Sequence, residues 1–287
     1  MNLRKALWQY LLWTAPALAF GASVNGDKAP SDRSRDLDPN LPTIFIAGDS
    51  TAAANNEQVQ GWGIPFASYF DLTKVNIVNS AQGGRSSRTF VTAGDWSNVL
   101  AKLKSGDVVL IQFGHNDGGS INDEPPPPLR ARGSLPGIGE ETEEIENVVT
   151  KKHEVVHTFG WYLRTMIADT KARGARPVLL SPTVRNIWTG NRVEGGPGNY
   201  REWVEQVATA AGIPFVDVTL TIARRYEALG PIRVKELFPH DNTHTTKEGA
   251  KLNAEAVVSG LASSARIVAP ALLSALGRDV VSPEKHP

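Results

Sequence analysis

The chain has 287 residues, of which 41% are hydrophobic, with 30 basic side chains, 30 acidic side chains and no cysteine. A chain of this length and composition can bury a sizeable core, as one large domain or two small ones. The balanced charge argues against nucleic acid as a partner, because binding nucleic acid needs a concentrated basic face. A chain without cysteine can form no disulfide bond and can use no thiolate chemistry.

The first 22 residues have the pattern of a secretory signal peptide. Arg4 and Lys5 precede an apolar run from Ala6 to Phe20, which closes with the small-x-small sequence ALA. An uncleaved membrane anchor is the alternative, although the run is short and is interrupted by Pro16. The pattern predicts a secreted or periplasmic protein that has no membrane partner once the signal is cleaved.

The rest of the chain alternates predicted strands and helices. Residues 23–42 are polar and predict a flexible lead-in to a single domain at 43–287. Helical spacing of apolar residues occurs around 96–103, 161–167, 200–211 and 247–261, and five apolar runs predict strands covered on both faces: TIFIAG (43–48), VNIVNS (75–80), DVVLIQFG (107–114), RPVLLSP (176–182) and IPFVDV (213–218). This alternation predicts an α/β fold, in which a parallel five-stranded sheet lies between two layers of helices.

The segment 118–147 fits no predicted element. It contains four consecutive prolines at 125–128 and ends in the acidic sequence EETEEIE. So long an irregular insertion in a compact domain is typical of a functional or a disordered loop. A solvated loop without a role is the alternative.

Ligands of parallel sheets bind beyond the carboxyl ends of the strands, so the residues that follow each predicted strand are informative. Ser50 follows the first strand at a turn into a helix, which suits a nucleophile, and a simple N-cap is the alternative. Gly84 follows the second strand and lets a backbone N–H approach a ligand, or makes a tight turn. Asn116 follows the third strand and offers an amide donor to an oxyanion, or forms a local Asx turn.

A histidine and a carboxylate follow the fifth predicted strand on one short loop, PHDNTH (239–244). Asp241 precedes His244 by three residues, so its carboxylate can reach the imidazole, fix its tautomer and stabilise the imidazolium. An isolated His–Asp pair is more often structural. At the same sheet edge as Ser50, the pair completes a candidate catalytic triad.

These strand-end sequences together resemble the SGNH, or GDSL, hydrolase superfamily. GWG (61–63), GGRSSRTF, QFGHNDGG and DNTHT are further similar to rhamnogalacturonan acetylesterases, which are carbohydrate esterases. The resemblance implies a flavodoxin-like three-layer α/β/α fold and the removal of acetyl groups from acetylated plant cell-wall polysaccharide, without a metal or other cofactor. The proline-rich insertion after Gly119 and the lack of cysteine depart from the best-known fungal pattern, which affects the expected shape of the substrate groove.

The predicted activity is that of a serine esterase. His244 takes the proton of Ser50, Ser50 attacks the acetyl carbonyl, Asp241 orients His244, and water then releases acetate from an acetyl-enzyme. The backbone N–H groups of Ser50 and Gly84 and the side chain of Asn116 are expected to form the oxyanion hole. The alternatives are an acetylesterase of another polysaccharide such as xylan, a non-catalytic carbohydrate-binding module, and a zinc peptidase.

The zinc peptidase hypothesis rests on HEVVH, from His153 to His157. In a helix, two histidines four residues apart share one face, and the Glu between them can act as a general base. The third ligand position of the extended motif is Leu163, and no Glu lies at 170–193. His115 or His240 could still approach in space. We therefore expect no metal, with both motif histidines on a helix that packs against the core or lies near the cleft rim.

Substrate contacts are predicted for Arg85, His115 and Trp188. Arginine forms bidentate hydrogen bonds to planar anions such as uronate carboxylates, and an indole can stack on a sugar face. For any one arginine a solvated surface position is the alternative, and for tryptophan it is core packing. The same reasoning applies to a wider set: Arg88, Arg130, Arg132, Arg185, Arg192 and Trp62.

Overall fold

The structure, a computed structural model, describes residues 37–54, 56, 58–263 and 267–282. The predicted signal peptide and most of the predicted lead-in lie outside these ranges. The described residues form nine strands: β1 (Thr43–Gly48), β2 (Asn76–Asn79), β3 (Val108–Gln112), β4 (Thr142–Glu146), β5 (His153–His157), β6 (Arg176–Leu180), β7 (Trp188–Thr189), β8 (Arg192–Val193) and β9 (Phe215–Val216).

Five of these strands form one parallel sheet, in the order β2–β1–β3–β6–β9. This is the flavodoxin-like order, in which the direction of winding reverses between β1 and β3. The predicted α/β fold with a parallel five-stranded sheet is therefore confirmed. Each strand of the sheet lies within one of the five apolar runs of the sequence.

The described helices cover both faces of the sheet. They are α1 (Gly63–Phe66), α2 (Ser87–Thr92), α3 (Asp95–Leu100), α4 (Phe159–Ala172), α5 (Tyr200–Ala211), α6 (Val218–Lys235), α7 (Lys247–Ser263) and α8 (Ala275–Val281), with 3-10 turns at Ala67–Tyr69 and Pro270–Leu272. Helix α6 bends at Gly230, whose φ is 78°, just before Pro231. In the described part of the chain, no helix is both long and apolar enough to span a lipid bilayer.

Side chains of β1 show how the sheet separates two hydrophobic cores. Ile44 and Ile46 point into one core, which includes residues of α1, α6, α7 and α8. Phe45 and Ala47 point into the other, which includes residues of α2, α3, α4 and α5. Successive strand side chains face opposite sides of a sheet, so a strand covered on both faces is mostly apolar. All six residues of β1 are buried.

The HEVVH sequence forms strand β5, so the predicted helix is wrong at this position. Strand β5 pairs antiparallel with β4 along its whole length, from His153 opposite Glu146 to His157 opposite Thr142. Two adjacent β-branched residues, Val155 and Val156, favour the extended conformation.

The insertion is also more ordered than the sequence predicts. Its last residues form β4, so the expectation that 118–147 holds no element is wrong for Thr142–Glu146. The charged sequence hides this strand because one face of the hairpin is open to solvent, while Ile145 is buried. Asn147 shapes the connection to β5, since its side-chain oxygen accepts the backbone N–H groups of Val149 and Thr150.

Candidate active site

The candidate site lies beyond the carboxyl ends of β1 and β3, where the winding of the sheet reverses. Ser50 comes two residues after β1, and Asn116 comes four residues after β3. The loop after β2 joins them, because the backbone N–H of Gln82 donates to the carbonyl of Gly48 at 3.0 Å. Reversal points of parallel sheets leave a crevice between neighbouring loops, and the three predicted stretches meet there.

Asp49 organises the turn that carries Ser50. Its buried carboxylate accepts the backbone N–H and the hydroxyl of Thr51, each at 2.8 Å. Its carbonyl accepts the backbone N–H groups of Ala52 and Ala53. Ser50 is 9% exposed, so the turn presents it from a position that is almost fully buried.

The GWG segment packs directly against this turn. Gly61 donates its N–H to the carbonyl of Ala53, and Trp62 donates its N–H to the carbonyl of Thr51. A Cβ at Gly61 would lie 2.3 Å from the carbonyl carbon of Ala52, so no larger residue fits at that position. Trp62 is fully buried and donates its indole N–H to Gln112, which assigns it to the core rather than to a sugar-binding surface.

Ser50, His244 and Asp241 form one hydrogen-bonded chain. The Ser50 Oγ lies 2.9 Å from Nε2 of His244, and Nδ1 of His244 lies 2.7 Å from Oδ2 of Asp241. The other carboxylate oxygen, Oδ1, accepts the backbone N–H groups of Thr243 and His244, each at 2.7 Å. Residues 241–244 therefore fix the carboxylate and the imidazole in the relative position that their hydrogen bond needs.

The charge state of Asp241 decides which nitrogen of His244 carries the proton. Partial burial opposes ionisation of Asp241, but hydrogen bonds from the His244 ring and from the two backbone N–H groups outweigh it and lower its pKa. An ionised carboxylate can only accept, so Nδ1 of His244 must donate to it. This leaves Nε2 as an acceptor for the hydroxyl of Ser50.

The predicted oxyanion-hole residues lie on the two neighbouring loops. Gly84 has φ = 75°, a conformation that favours glycine. Asn116 is buried and donates one amide hydrogen to the carbonyl of Arg85 at 2.8 Å. A carboxamide has two hydrogens on its nitrogen, so a second donor remains for a ligand. The structure thus ties the Gly84 and Asn116 loops together.

The buried carboxyl group of Asp117 links these loops to neighbouring segments of the chain. Oδ1 of Asp117 accepts the backbone N–H of Ser87 at 3.0 Å, its hydroxyl at 2.5 Å and the hydroxyl of Ser134 at 3.2 Å. Burial raises the pKa of Asp117 to about 7, against the opposing effect of the Ser87 hydrogen bonds. This one side chain joins the β3 loop, the start of α2 and the insertion.

Arg88 is a second polar side chain that connects segments near the site, and it is fully buried. Its guanidinium binds the Glu154 carboxylate through two hydrogen bonds of 2.7 and 2.9 Å. It also donates to the carbonyls of Ile121 and Gly133 in the insertion. The predicted surface or substrate role of Arg88 is therefore wrong, because its donors are used inside the protein.

Comparison with known proteins agrees with this geometry. The family model described as "GDSL-like Lipase/Acylhydrolase family" matches residues 46–252, which is well over half of the chain. The chain belongs to this family. It is accordingly a carboxylic ester hydrolase, and its resemblance to SGNH hydrolases is confirmed.

Relatives of this GDSL-family chain include two proteins named rhamnogalacturonan acetylesterase. One, from Emericella nidulans, is 35% identical over 77% of this chain and 85% of its own length. The other, RhgT from Bacillus subtilis, is 30% identical over 76% of this chain and 88% of its own length. The crystal structure of the YxiM protein from Bacillus subtilis is similar in fold, with a TM-score of 0.61, 23% identity and coverage of 77% of this chain and 56% of that one.

The predicted substrate contacts of this GDSL-family chain lie at different depths. Arg85 is partly exposed, and its Nε is 2.5 Å from the Asp95 carboxylate. His115 faces inward, with Nε2 3.0 Å from the buried Thr183 hydroxyl, and burial lowers its pKa. Trp188 is half-buried and donates its indole N–H to Asn186. Their contact with substrate stays a prediction.

The HEVVH residues have other partners in this GDSL-family chain. Glu154 is held by Arg88, so it is not placed as a general base. The His157 ring stacks on Trp161 at a centroid distance of 3.7 Å, and Nε2 of the exposed His153 lies 3.4 Å from Glu144. Across residues 37–54, 56, 58–263 and 267–282, no group of three or more His, Cys, Asp or Glu side chains is arranged to hold a metal ion.

Sequence reasoning missed two groups that shape the site. Asp49 orders the nucleophile turn through a local contact with Thr51, whereas Thr183 holds His115 through a contact that only the fold creates. Aspartate two residues before a Thr at a turn is a weak Asx-turn signal, which could have indicated the role of Asp49. Thr183 follows the fourth strand of the sheet and had no signal beyond that position.

Proposed function

We propose that this chain is a secreted acetylesterase that removes acetyl groups from rhamnogalacturonan. The observation that carries the proposal is the hydrogen-bonded chain from Ser50 through His244 to Asp241, with distances of 2.9 and 2.7 Å. Membership of the acylhydrolase family supports ester hydrolysis. The names of two relatives, at 35% and 30% identity over most of the chain, support an acetylated polysaccharide as the substrate. The N-terminal sequence pattern supports secretion.

The first half of the reaction transfers the acetyl group to the enzyme. Nε2 of His244 takes the proton from Ser50 as Oγ attacks the acetyl carbonyl carbon, which gives a tetrahedral intermediate. Asp241 stays ionised and stabilises the positive imidazolium. The intermediate collapses when the bond to the sugar oxygen breaks and His244 returns the proton to that oxygen. The products of this half are a free sugar hydroxyl and an acetyl ester of Ser50.

Hydrolysis of this ester completes the cycle by the same steps. A water molecule gives its proton to His244 and attacks the acetyl carbonyl, and collapse of the second intermediate releases acetate and restores the Ser50 hydroxyl. Both intermediates carry negative charge on the former carbonyl oxygen. The backbone N–H groups of Ser50 and Gly84 and the remaining amide hydrogen of Asn116 are the proposed donors to that oxygen.

Substitution of the nucleophile tests the proposal. Purified wild type and Ser50→Ala are compared for acetate release from acetylated rhamnogalacturonan, acetylated xylan and p-nitrophenyl acetate. We expect Ser50→Ala to lose about 10⁴-fold or more of kcat on every substrate, because no other step of the mechanism can begin. Ser97→Ala, at an exposed serine of α3, is the matched control and should retain full activity.

Each outcome bears on a different part of the proposal. Retention of activity in Ser50→Ala would exclude the triad. Faster release from xylan than from rhamnogalacturonan would exclude the proposed substrate and leave the mechanism in place. A burst of p-nitrophenol equal to the enzyme concentration, followed by slower turnover, would support the acetyl-enzyme.

A further inference from the structure

A cleft of about 480 Å³ opens beside the proposed oxyanion hole. Its walls come from three segments: 84–93 on and before α2, 130–132 in the insertion, and 147–154 at the turn and start of the hairpin. The volume is within the range of about 300–1,000 Å³ that is typical of small-molecule sites. The insertion, whose role the sequence left open, thus forms one wall of a cleft that borders the proposed oxyanion hole at Gly84.

Positive charge in this cleft exceeds negative charge. Arg130, Arg132 and Lys152 line it, and within the described residues no carboxylate forms an ion pair with any of them. Glu154 is the one carboxylate on the lining, and Arg88 neutralises it from within. The other ionisable side chains on the lining are His153, which lies beside Glu144, and Arg85, which is paired with Asp95.

Arg132 is held in a costly position. Its Nε is buried without a hydrogen-bond partner among the described residues. Burial and the charge of Arg130 both lower its pKa, and the charges of Asp49, Asp117 and Asp123 only partly offset them. A protein rarely buries an unpaired guanidinium donor. Arg132 also lines the cleft, so an anion bound there would partly neutralise the guanidinium and offset this cost.

The backbone that carries Arg132 is fixed by other residues. Its N–H and that of Gly133 both donate to the carbonyl of Ser120, at 3.1 and 2.8 Å. Arg88 donates to the carbonyl of Gly133 at 2.7 Å. The guanidinium is therefore presented by a preorganised segment, which reduces the entropy lost when a ligand binds.

The same guanidinium borders the reacting centre. A Cβ placed on Gly84 would lie 3.9 Å from Nη1 of Arg132, and Gly84 is a proposed oxyanion donor. A ligand bound to Arg132 would therefore lie next to the acyl group under attack. That position suits a sugar close to the acetylated one along the same polysaccharide.

We propose that the cleft is a subsite for a carboxylate-bearing sugar residue of the substrate, with Arg132 as its main partner and Arg130 and Lys152 as supporting cations. This proposal rests on the proposed function, since it assumes an acidic polysaccharide chain passing Ser50. Arginine suits the task because its planar fork forms bidentate hydrogen bonds to a carboxylate. The subsite gives the enzyme a preference for acidic over neutral acetylated chains.

Binding without turnover tests the subsite. Isothermal titration calorimetry with Ser50→Ala compares a non-acetylated galacturonate oligosaccharide with the same oligosaccharide after methyl esterification of its carboxyl groups. We expect the acidic form to bind about tenfold more tightly or better, as is typical of hydrogen bonds between charged groups. Raising the salt from about 0.1 M to about 1 M should reduce this preference, because the Debye length falls from about 10 Å to about 3 Å.

Variants assign the preference to named side chains. In the Ser50→Ala background, Arg132→Gln should remove most of the preference for the acidic form, and Lys152→Gln should remove part of it. Lys152 is exposed, so its substitution should be tolerated even if Arg132→Gln lowers the thermal unfolding midpoint. Arg173→Gln, at an exposed position just after α4, is the control and should keep the full preference.

Equal binding of the acidic and neutral oligosaccharides would overturn the subsite, as would an equal loss of preference in Arg173→Gln. The proposed function is tested separately, by acetate release from acetylated rhamnogalacturonan by the wild type. Acetate release with equal binding of the two oligosaccharides would overturn the subsite alone. A clear binding preference without acetate release would overturn the proposed function alone.

Discussion

The two sides of the candidate active site are built differently. Ser50, Gly84 and Asn116 lie on loops next to buried polar side chains. Asp117 joins the β3 loop to the start of α2, and Arg88 joins α2 to the insertion. The opposite side is the loop of Asp241 and His244, whose side chains are 46% and 33% exposed. Hydrogen bonds within that loop fix its carboxylate and its imidazole relative to each other.

This difference separates two requirements of acyl transfer. Donors to an oxyanion have to be in place before charge develops, which favours a rigid, desolvated support. A general base and its acid need correct geometry with respect to each other, and four consecutive residues can provide it. The second loop is also anchored to the rest of the domain. Asn186 donates its backbone N–H to the carbonyl of Asn242, and Gln60 exchanges hydrogen bonds with Thr245. Nε2 of His240 lies 2.6 Å from Oε1 of Gln58.

The largest effect is expected on the exposed side, from Asp241→Asn. Oδ1 accepts two backbone N–H groups, so the amide oxygen will occupy that position and the amide nitrogen will face Nδ1 of His244. This donor holds the wrong imidazole tautomer, and we expect kcat to fall about 10³-fold or more. Asn242→Ala is the matched control, with activity close to wild type. An equally active Asp241→Asn would show that the loop needs no acid.

Asn116→Ala tests the buried side of the comparison. Removal of one oxyanion donor typically costs about 3 kcal/mol of transition-state stabilisation, so kcat should fall about 100-fold. KM should change little, because the hydrogen bond strengthens as charge develops. Steady-state kinetics on p-nitrophenyl acetate separate the two constants. A change confined to KM would assign Asn116 to ground-state binding instead.

Arg88→Met tests the buried hydrogen bonds that join α2 to the insertion on that side of the site. The substitution leaves the mostly buried Glu154 carboxylate without its charged partner, although Asn147 still donates to it, and two carbonyls lose a donor. Breaking a buried ion pair on one side typically costs about 3–5 kcal/mol of unfolding free energy. Denaturant unfolding measures the loss. The control is Arg233→Met, whose ion pairs are on the surface, and it should leave the midpoint almost unchanged.

Asp117→Asn gives the smallest effect and a distinct pH dependence. The folded state raises the pKa of Asp117 from its ordinary value near 4 to about 7, so in this range the folded protein holds a proton that the unfolded chain releases. Asp117 therefore makes the wild type lose stability as the pH rises from about 4 to about 7. Unfolding free energies over this range should decline less steeply in Asp117→Asn. Parallel curves would mean that Asp117 is ionised throughout.

The sheet could be predicted from sequence because its strands are covered on both faces. β1 coincides with the run TIFIAG, since burial on two sides favours apolar residues, and Thr43 at its start is the one polar residue in it. The hairpin of β4 and β5 could not be predicted in this way. Its charged, half-exposed first strand carries little hydrophobic signal, and histidines four residues apart share a face in a strand as they do in a helix.

The candidate site shows the same division. The Asp241–His244 pair could be predicted because its geometry is encoded within four residues. The burial of Arg88 could not, because its partner Glu154 lies 66 residues away and the two meet only when the insertion folds over α2. A charged side chain with a distant partner has the same local pattern as one on the surface.

Arg88 also limits how the enzyme can be engineered. A designer who shortens the insertion to widen the groove would remove the carbonyls of Ile121 and Gly133, and a deletion that reaches the hairpin would remove Glu154 as well. The shortened protein would then bury the Arg88 guanidinium without its hydrogen-bond acceptors. Loop truncation and replacement of residue 88 by an apolar side chain should therefore be designed together, as one edit.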